Sequence, residues 1–413
     1  MHIEVLAIGN EIIAGQTINS NASYISKKLE ESGYRAYSHL VLPDDKGIIQ
    51  KELAKALKSS DVVISSGGLG PTLDDITKEV VADLFKVECV IDEGIKENLK
   101  KRFPGYISIE KDASIPKGAI TVENKVGTAF GIIIEKDNKT LILLPGVPSE
   151  LKPMFDESVI PYLAKKFPTK QRIYQRKVGI FLKVESEINP ILEKYQLQYP
   201  NTELGIYPDL GYVTVKATKI LVSKDDPSYN EVDKLIDMIK SSFPSNIFED
   251  SIILDLHKLL LEKKYKIAIA ESCTGGAVSA ALVQTPGASN YLEGAIVTYS
   301  NEMKTKLLHV SKKTLSEKGA VSIEVVDEML SGLLNITGAD FALATSGIAG
   351  PEGGSKDKPV GTVCIGCADK NLYKDIGFIH TKGSRERVIE SSVNRALAIL
   401  LKRIKYDEYT FRK

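Results

Sequence analysis

At 413 residues the chain is long enough for two or three ordinary cores, and its 43% hydrophobic and 26% charged residues are the proportions of a folded globular protein. Lysine plus arginine and aspartate plus glutamate balance at 54 each, which excludes a general basic field for holding nucleic acid or anionic lipid. Cys89, Cys273, Cys364 and Cys367 are too sparse for a disulfide scaffold, no apolar run approaches the ~18 residues of a membrane span, and MHIEVLAIGNE lacks the basic and apolar regions of a signal peptide, so a cytoplasmic protein is expected.

From residue 1 to about 165, apolar β-rich runs (HIEVLAIG, RAYSHLVL, DVVISSGG) alternate with amphipathic stretches over 20–32 and 47–59. That alternation predicts βαβ crossovers and a parallel sheet covered by helices on both faces. GIIIEK and TLILLPG read as further strands, with Ser149 capping a helix that starts near Glu150. Gly67, Gly68 and Gly70 form a phosphate-sized turn after DVVISS, and Asp74 and Asp75 read as opening the helix that follows. Asp44 and Asp45 end another strand region, and LPGVPSE adds a turn at Gly146. Acids and phosphate-binding turns at converging strand ends suit metal-assisted phosphate chemistry; the bland alternative is favourable charge in a first helical turn.

Between about 171 and 250 the order is strand (RIYQRKVGIF), helix (184–195), strand (203–207), strand (YVTVKATKIL), helix (228–242) and a short strand in NIFED. This α+β unit is too short for a second doubly wound sheet and reads as a spacer or assembly module.

From about 252 a helix (ILDLHKLLLEKK) leads into the strand YKIAIA, and helices and strands alternate to a final helix near 386–404, with disorder expected only in the tail from Tyr406 to Lys413. Four segments carry chemistry. In KIAIAESCTGGAVSAALV, Ser272 falls between a strand and a helix, with Thr274, Gly275 and Gly276 beside it; an N-cap is the plain alternative. In GAIVTYSNEMKTKLL, Tyr299 ends a strand and Lys304 follows near a helix start. LATSGIAGPEGGSKDKPVGTV is a glycine-rich loop suited to hold an anion at Gly347, Ile348 and Gly350. TKGSRERVIESSVNRAL puts Arg385 and Arg387 at a helix start, where a cation opposes the helix dipole unless it meets an anion. Cys273 is a rival nucleophile, and a Ser-His-Asp relay is disfavoured because His2, His39, His257, His309 and His380 lie outside these motifs. Cys364 and Cys367 sit i and i+3 in a strand, facing opposite sides, which argues against zinc.

Together ESCTGG, VTYSNEMK, AVS (320–322), SGIAGPEGGS, KPVGTV and the arginine-bearing helix resemble the C-terminal domain of the CinA family of competence/damage-inducible proteins and the related nicotinamide mononucleotide deamidases. The resemblance implies that Ser272 is the nucleophile, assisted by Tyr299 and Lys304. Backbone N–H groups near Thr274 and Gly275 would then hold the oxyanion, and Gly347, Ile348, Gly350, Arg385 and Arg387 the ribose phosphate. No cofactor is implied for this amidase.

Residues 1–165 resemble the molybdopterin-binding fold at the front of CinA proteins, through AIGNEIIAG, the stretch Asn19–Asn21, GGLGPTLDD and LPGVPSE. The resemblance implies hydrolysis of ADP-ribose to AMP and ribose 5-phosphate with a divalent ion (Mg, Mn or Co) and potassium. Asp75 would be the catalytic acid and, with Asp44, a metal ligand; Asn21, Gly67, Gly68, Gly70 and Gly146 would contact substrate. VENKVGTAFG departs from the family, lacking the usual proline after Asn124 and carrying Phe130 where proline is usual, which bears on ligand detail there. The middle unit resembles the family's KH-like domain but has no G-x-x-G loop, so nucleic-acid binding is disfavoured and dimer assembly preferred.

The expected fold class is α/β throughout: a molybdopterin-binding-like domain (1–168), a small α+β KH-like domain (169–250) and a C-terminal α/β layered amidase domain (251–413). The expected function is two-part pyridine-nucleotide salvage. Two alternatives remain open at this stage: a non-catalytic nucleotide- or pterin-binding protein linked to competence or DNA damage, and a molybdopterin adenylyltransferase-like front domain.

Overall fold

The computed structural model describes residues 1–223 and 225–411 and divides into two compact units, Met1–Tyr174 with Ile220–Pro227, and Gln175–Lys219 with Ser228–Lys413.

The first unit is built on a six-stranded sheet in the order Ala36–Leu42, Ile3–Ile8, Val62–Ser66, Lys139–Leu144, Gly131–Lys136, Ile120–Val122. The first four strands are parallel and Gly131–Lys136 runs antiparallel to both its neighbours, so the sheet is mixed rather than wholly parallel as expected. The short Asp137–Asn138 turn, with both residues at positive φ, explains the reversal: two residues allow only a hairpin, whereas a parallel return needs a crossover. Alternation along each strand fills two cores. Leu6, Val63, Leu141 and Leu143 face one, and Val5, Ile64, Ile142 and Leu144 the other.

Helices Ser20–Glu31 and Lys46–Ser59 lie where the amphipathic stretches predict them, capped by Asn19 and Asp45. Two helix starts differ from expectation. Pro148, not Glu150, opens its helix, because proline's fixed φ and missing N–H suit the first turn; no side chain caps it, Ser149 included. The helix after the glycine turn begins at Thr77, and Asp74 and Asp75 stay in the preceding loop.

The second unit opens with a four-stranded antiparallel sheet in the order Glu203–Asp209, Tyr212–Leu221, Arg172–Phe181, Ile247–Phe248, with helices Glu185–Gln198 and Tyr229–Ser242. Beyond it lies a five-stranded sheet in the order Leu292–Val297, Ile267–Glu271, Phe341–Gly347, Thr362–Asp369, Lys374–His380. The first three strands are parallel, and Thr362–Asp369 runs antiparallel to both its neighbours. Phe181 and Phe248 pack into the same core as Ile267, Ile269 and Leu397, which joins the small sheet to the larger one.

Strand Ile267–Glu271 is buried along its whole length, with Ala268 and Ala270 in one core and Ile267 and Ile269 in the other. Each isoleucine so buried contributes about 1.5–3 kcal/mol, enough to fix the register that delivers Ser272 to the strand's end. Cys364 and Cys367 fall in these two opposite cores, as their spacing predicts. The final helix, Arg385–Tyr406, is followed by chain that the structure places through Phe411, contrary to the expected disorder. The buried Asp375 carboxylate accepts the backbone N–H groups of Thr410 and Phe411, and the Phe411 ring packs against Gly377. Arg412 and Lys413 lie outside the described residues. No described helix is long and apolar enough to cross a membrane.

Candidate active sites

In the second unit, the central strand ends at Glu271 and the chain turns through Ser272–Gly276 into helix Ala277–Val283. Gly275 (φ 62°) and Gly276 (φ 101°) supply left-handed backbone that other residues adopt only at a cost. Glu271 is fully buried and accepts hydrogen bonds from the backbone N–H groups of Gly276 (2.9 Å), Val278 (3.1 Å) and Ser279 (2.9 Å), and from the Ser279 hydroxyl (2.8 Å). A carboxylate fixed there satisfies N–H groups a helix start leaves without partners, and it anchors the turn that holds Ser272.

Lys304 lies in the first turn of helix Asn301–Leu308, which Ser300 caps, and is 1% exposed. Its Nζ donates to Ser272 Oγ at 2.9 Å and to the Thr298 carbonyl at 2.8 Å. No carboxylate pairs with it among the described residues. Burial pulls its pKa down to about 8, opposed only by the Cys273 thiol. The amine is therefore poised to exchange a proton with the serine near neutral pH.

Ser272, Tyr299, Lys304, Gly347, Ile348, Gly350 and Arg385 line one cavity of about 270 Å³. Arg385 donates to the Gly350 carbonyl (2.8 Å) and the Tyr299 hydroxyl (2.9 Å), tying the glycine loop to the tyrosine. Three expectations change. Arg387 is exposed and does not line the cavity; its backbone N–H meets the cap Ser384, and its side chain lies over Gly383. Tyr299 is 61% exposed and reaches Arg385 rather than Lys304, whose only approach to it is to its carbonyl at 3.5 Å. Ser272 and Lys304 thus meet directly, with the phenol turned to Arg385 instead of standing between them. The Gly275 N–H closes the turn onto the Ser272 carbonyl at 3.1 Å, so it is not free for an oxyanion, and Thr274 turns its hydroxyl to Thr345 (2.7 Å). Neither Thr274 nor Gly275 lines the cavity. Cys273 does, but burial pushes its thiol up to about 12, which suppresses the thiolate a nucleophile needs. None of the five histidines lines it. The sequence reading gave no role to Glu271, Asn301, Ser346 or Glu352; three of these line the cavity, and all lie within or beside the motifs.

In the first unit, Asp44, Gly67, Gly68, Gly70, Asp75 and Gly146 line a cavity of about 480 Å³ at the carboxyl ends of the parallel strands, together with Glu11, Asp74 and Glu150. Gly67 (φ 106°) leaves no room for a side chain, since a Cβ there would meet the Ile8 carbonyl at 2.1 Å. Asp75 accepts the Thr72 N–H (3.0 Å) and hydroxyl (2.5 Å). Burial raises the Asp44 carboxyl, the Asn10 N–H at 2.8 Å opposes this, and the charges of Asp74, Glu11 and Asp75 raise it further. Asn21 does not line the cavity; its Nδ2 holds the Gly146 carbonyl at 2.7 Å and so supports the turn from behind.

The departure at 122–131 leaves the loop ordered by other means. Buried Asn124 donates to the Ala129 carbonyl and Glu150, and accepts from the N–H groups of Val126 and Gly127, while Phe130 fills the core. As to a metal, no three histidine, cysteine, aspartate or glutamate side chains among the described residues form a ready cage. The convergent acids fit a hard cation that keeps most of its waters and takes one or two carboxylates plus substrate phosphates.

Two α/β cavities at strand ends, one holding a buried serine–lysine pair and one an acidic, glycine-walled cleft, define the class of protein. Residues 4–165 match the probable molybdopterin binding domain and residues 249–404 the CinA C-terminal domain. The chain is 38% identical over 416 residues to the competence-damage inducible protein of Caldicellulosiruptor saccharolyticus, covering 98% of this chain and 99% of that one. Namesakes from Clostridium botulinum (37%, 98% and 100%) and Acetivibrio thermocellus (37%, 96% and 97%) are similar over the same extent. A solved CinA structure from Thermoplasma acidophilum shares 38% identity over 40% of this chain and 96% of that one, with a TM-score of 0.37. The chain belongs to the CinA family of competence-damage inducible proteins.

Proposed function

We propose that the Ser272 cavity hydrolyses the carboxamide of nicotinamide mononucleotide to nicotinate mononucleotide and ammonia. The observation that carries this reading is the buried Lys304 amine, 2.9 Å from Ser272 Oγ and without a carboxylate partner among the described residues. Neutral Lys304 takes the serine proton as Oγ bonds to the carboxamide carbon. It then returns that proton to the nitrogen as the C–N bond breaks and ammonia leaves. Water attacks the resulting ester, passing its proton back through Lys304 to Oγ. Tyr299, lining the mouth, offers a face to the pyridine ring, and Arg385 with the glycine loop receives the phosphate.

For the first unit we propose hydrolysis of ADP-ribose to AMP and ribose 5-phosphate, supported by the acidic cleft and its glycine turn. Asp75 orients the attacking water, and Asp44 with Asp75 would hold a divalent ion; such an ion supplies charge neutralisation at the phosphates when bound. Potassium is part of the same proposal. Both substrates arise from breakage of NAD, which makes a two-part salvage enzyme coherent.

The reading places the protein in the cytoplasm, in keeping with four free thiols, as a homodimer assembled through the middle module (169–250) between domains 1–168 and 251–413, without nucleic acid as a partner. Incubating the purified chain separately with the two nucleotides and separating products by chromatography tests both activities. Nicotinate mononucleotide and AMP are expected. Retention of each ligand without product favours a binding protein, and adenylylated molybdopterin from ATP favours the transferase.

A further inference from the structure

A second cavity of the same unit, about 400 Å³, shares no residue with the Ser272 site. Its walls come from residues 182–185, which lead into helix Glu185–Gln198, from the end of strand Glu203–Asp209 and the turn at Gly211, and from Ile379, Arg395 and Thr410 of the larger domain. Both sides pack into one core, so the cavity is a fixed seam rather than a gap between loose parts.

Two polar groups in it lack partners. Arg395, partly buried on helix Arg385–Tyr406, makes no hydrogen bond or ion pair with any described residue, and burial alone shifts its guanidinium, downward. The Thr410 hydroxyl is buried with no hydrogen-bond partner. A buried hydroxyl without a partner costs stability unless something answers it, and the guanidinium, which keeps contact with solvent, is free to meet an anion. The surroundings are built to leave them so. Gly211 (φ 96°) closes over the arginine stem, where a Cβ would meet Arg395 Cγ at 2.9 Å. Asn394 fixes that loop by donating to the Leu210 carbonyl at 2.8 Å. Thr410 is held by the bonds of its own and the next N–H to Asp375.

The charged neighbours do not pair with Arg395. Lys183 is bridged to Glu187 at 2.7 Å, and Asp209 accepts the Leu210 N–H and the Tyr212 hydroxyl, each at 2.7 Å. Glu185 and Asp209 line the same cavity. The occupant must therefore bring an anion to Arg395 and Thr410 and hydroxyl donors to the carboxylates. A guanidinium's planar fork suits phosphate bidentately, and sugar hydroxyls suit the acids.

We propose that this seam is a binding site for a sugar phosphate, with its phosphate on Arg395 and Thr410 and its hydroxyls toward Asp209 and Glu185. Calorimetric titration of the full chain with ribose 5-phosphate, with inorganic phosphate and ribose as controls, tests it. One binding event is expected to be lost, or weakened at least tenfold, in Arg395→Met, and to be partly restored in Arg395→Lys; Thr410→Val weakens it several-fold while keeping the guanidinium. Ribose alone does not bind there, and inorganic phosphate binds more weakly than the sugar phosphate. Any sites in the two cleft cavities are unchanged by these substitutions and cancel in the comparison. Identical titrations for the folded wild type, Arg395→Lys and Thr410→Val, or no binding dependent on Arg395, overturn the assignment.

Discussion

Lys304 Nζ sits 2.9 Å from Ser272 Oγ although the two residues are 32 apart in the chain and lie on different elements, a helix and a strand end. The lysine's other strong acceptor is the Thr298 carbonyl, a neutral group that orients the amine without holding it charged. That combination suits the base of the proposed reaction; a structural cation would be kept protonated by a carboxylate.

Replacing the pair is accordingly predicted to have separable effects. Ser272→Ala abolishes ammonia release with little change in thermal unfolding. Lys304→Met lowers kcat by roughly a hundred- to ten-thousand-fold, the usual span for a general base, yet leaves stability equal or higher because no buried ammonium remains to be desolvated. Coupled ammonia assays and thermal melts check both.

The pH dependence follows from the Lys304 value of about 8. Catalysis needs the neutral amine, so kcat/KM rises with pH, about tenfold per unit well below 8, and levels above it. The lysine's folded pKa lies below its unfolded value, so between about 8 and the ordinary lysine range the unfolded chain holds more protons and this group's contribution to stability improves as pH rises. A profile flat between pH 6 and 9 contradicts the assignment of the base.

Glu271 is predicted to act on the nucleophile by position alone. Glu271→Gln keeps the shape but exchanges an accepting oxygen for a donor, leaving one or two of four bonded hydrogens without an acceptor, at about 1–3 kcal/mol for each. A lower melting temperature together with reduced kcat and an unshifted pH midpoint is expected; a shifted midpoint shows instead that Glu271 acts on the Lys304 charge.

In the first unit, Asp75→Ala and chelation of divalent ions are each predicted to remove ADP-ribose turnover while nicotinamide mononucleotide turnover stays intact. Product chromatography on the same samples reads both activities.

The sequence exposed these sites unevenly, for physical reasons. Strand periodicity places Ser272 at a strand end, and the motif resemblance points to Lys304; burial of the lysine depends on packing that its neighbours in sequence do not reveal. Arg385 and Arg387 look alike in sequence, yet the helix rotates about 200° between them, so one faces the cavity and the other solvent. Asp74 and Asp75 resemble a helical first turn, but the glycine–proline turn before them carries the loop on to Ile76. Arg395 stands in the same arginine-bearing segment, yet the sequence gives it no distinct role, because what sets it apart is the closure of a loop from another part of the chain.

Rapid quenching of the purified protein with nicotinamide mononucleotide, followed by mass spectrometry of the peptides, tests the proposed activity most directly. A nicotinate mononucleotide ester on Ser272 that forms and decays at catalytically competent rates is the predicted result. An adduct on Cys273, or full turnover by Ser272→Ala, contradicts it.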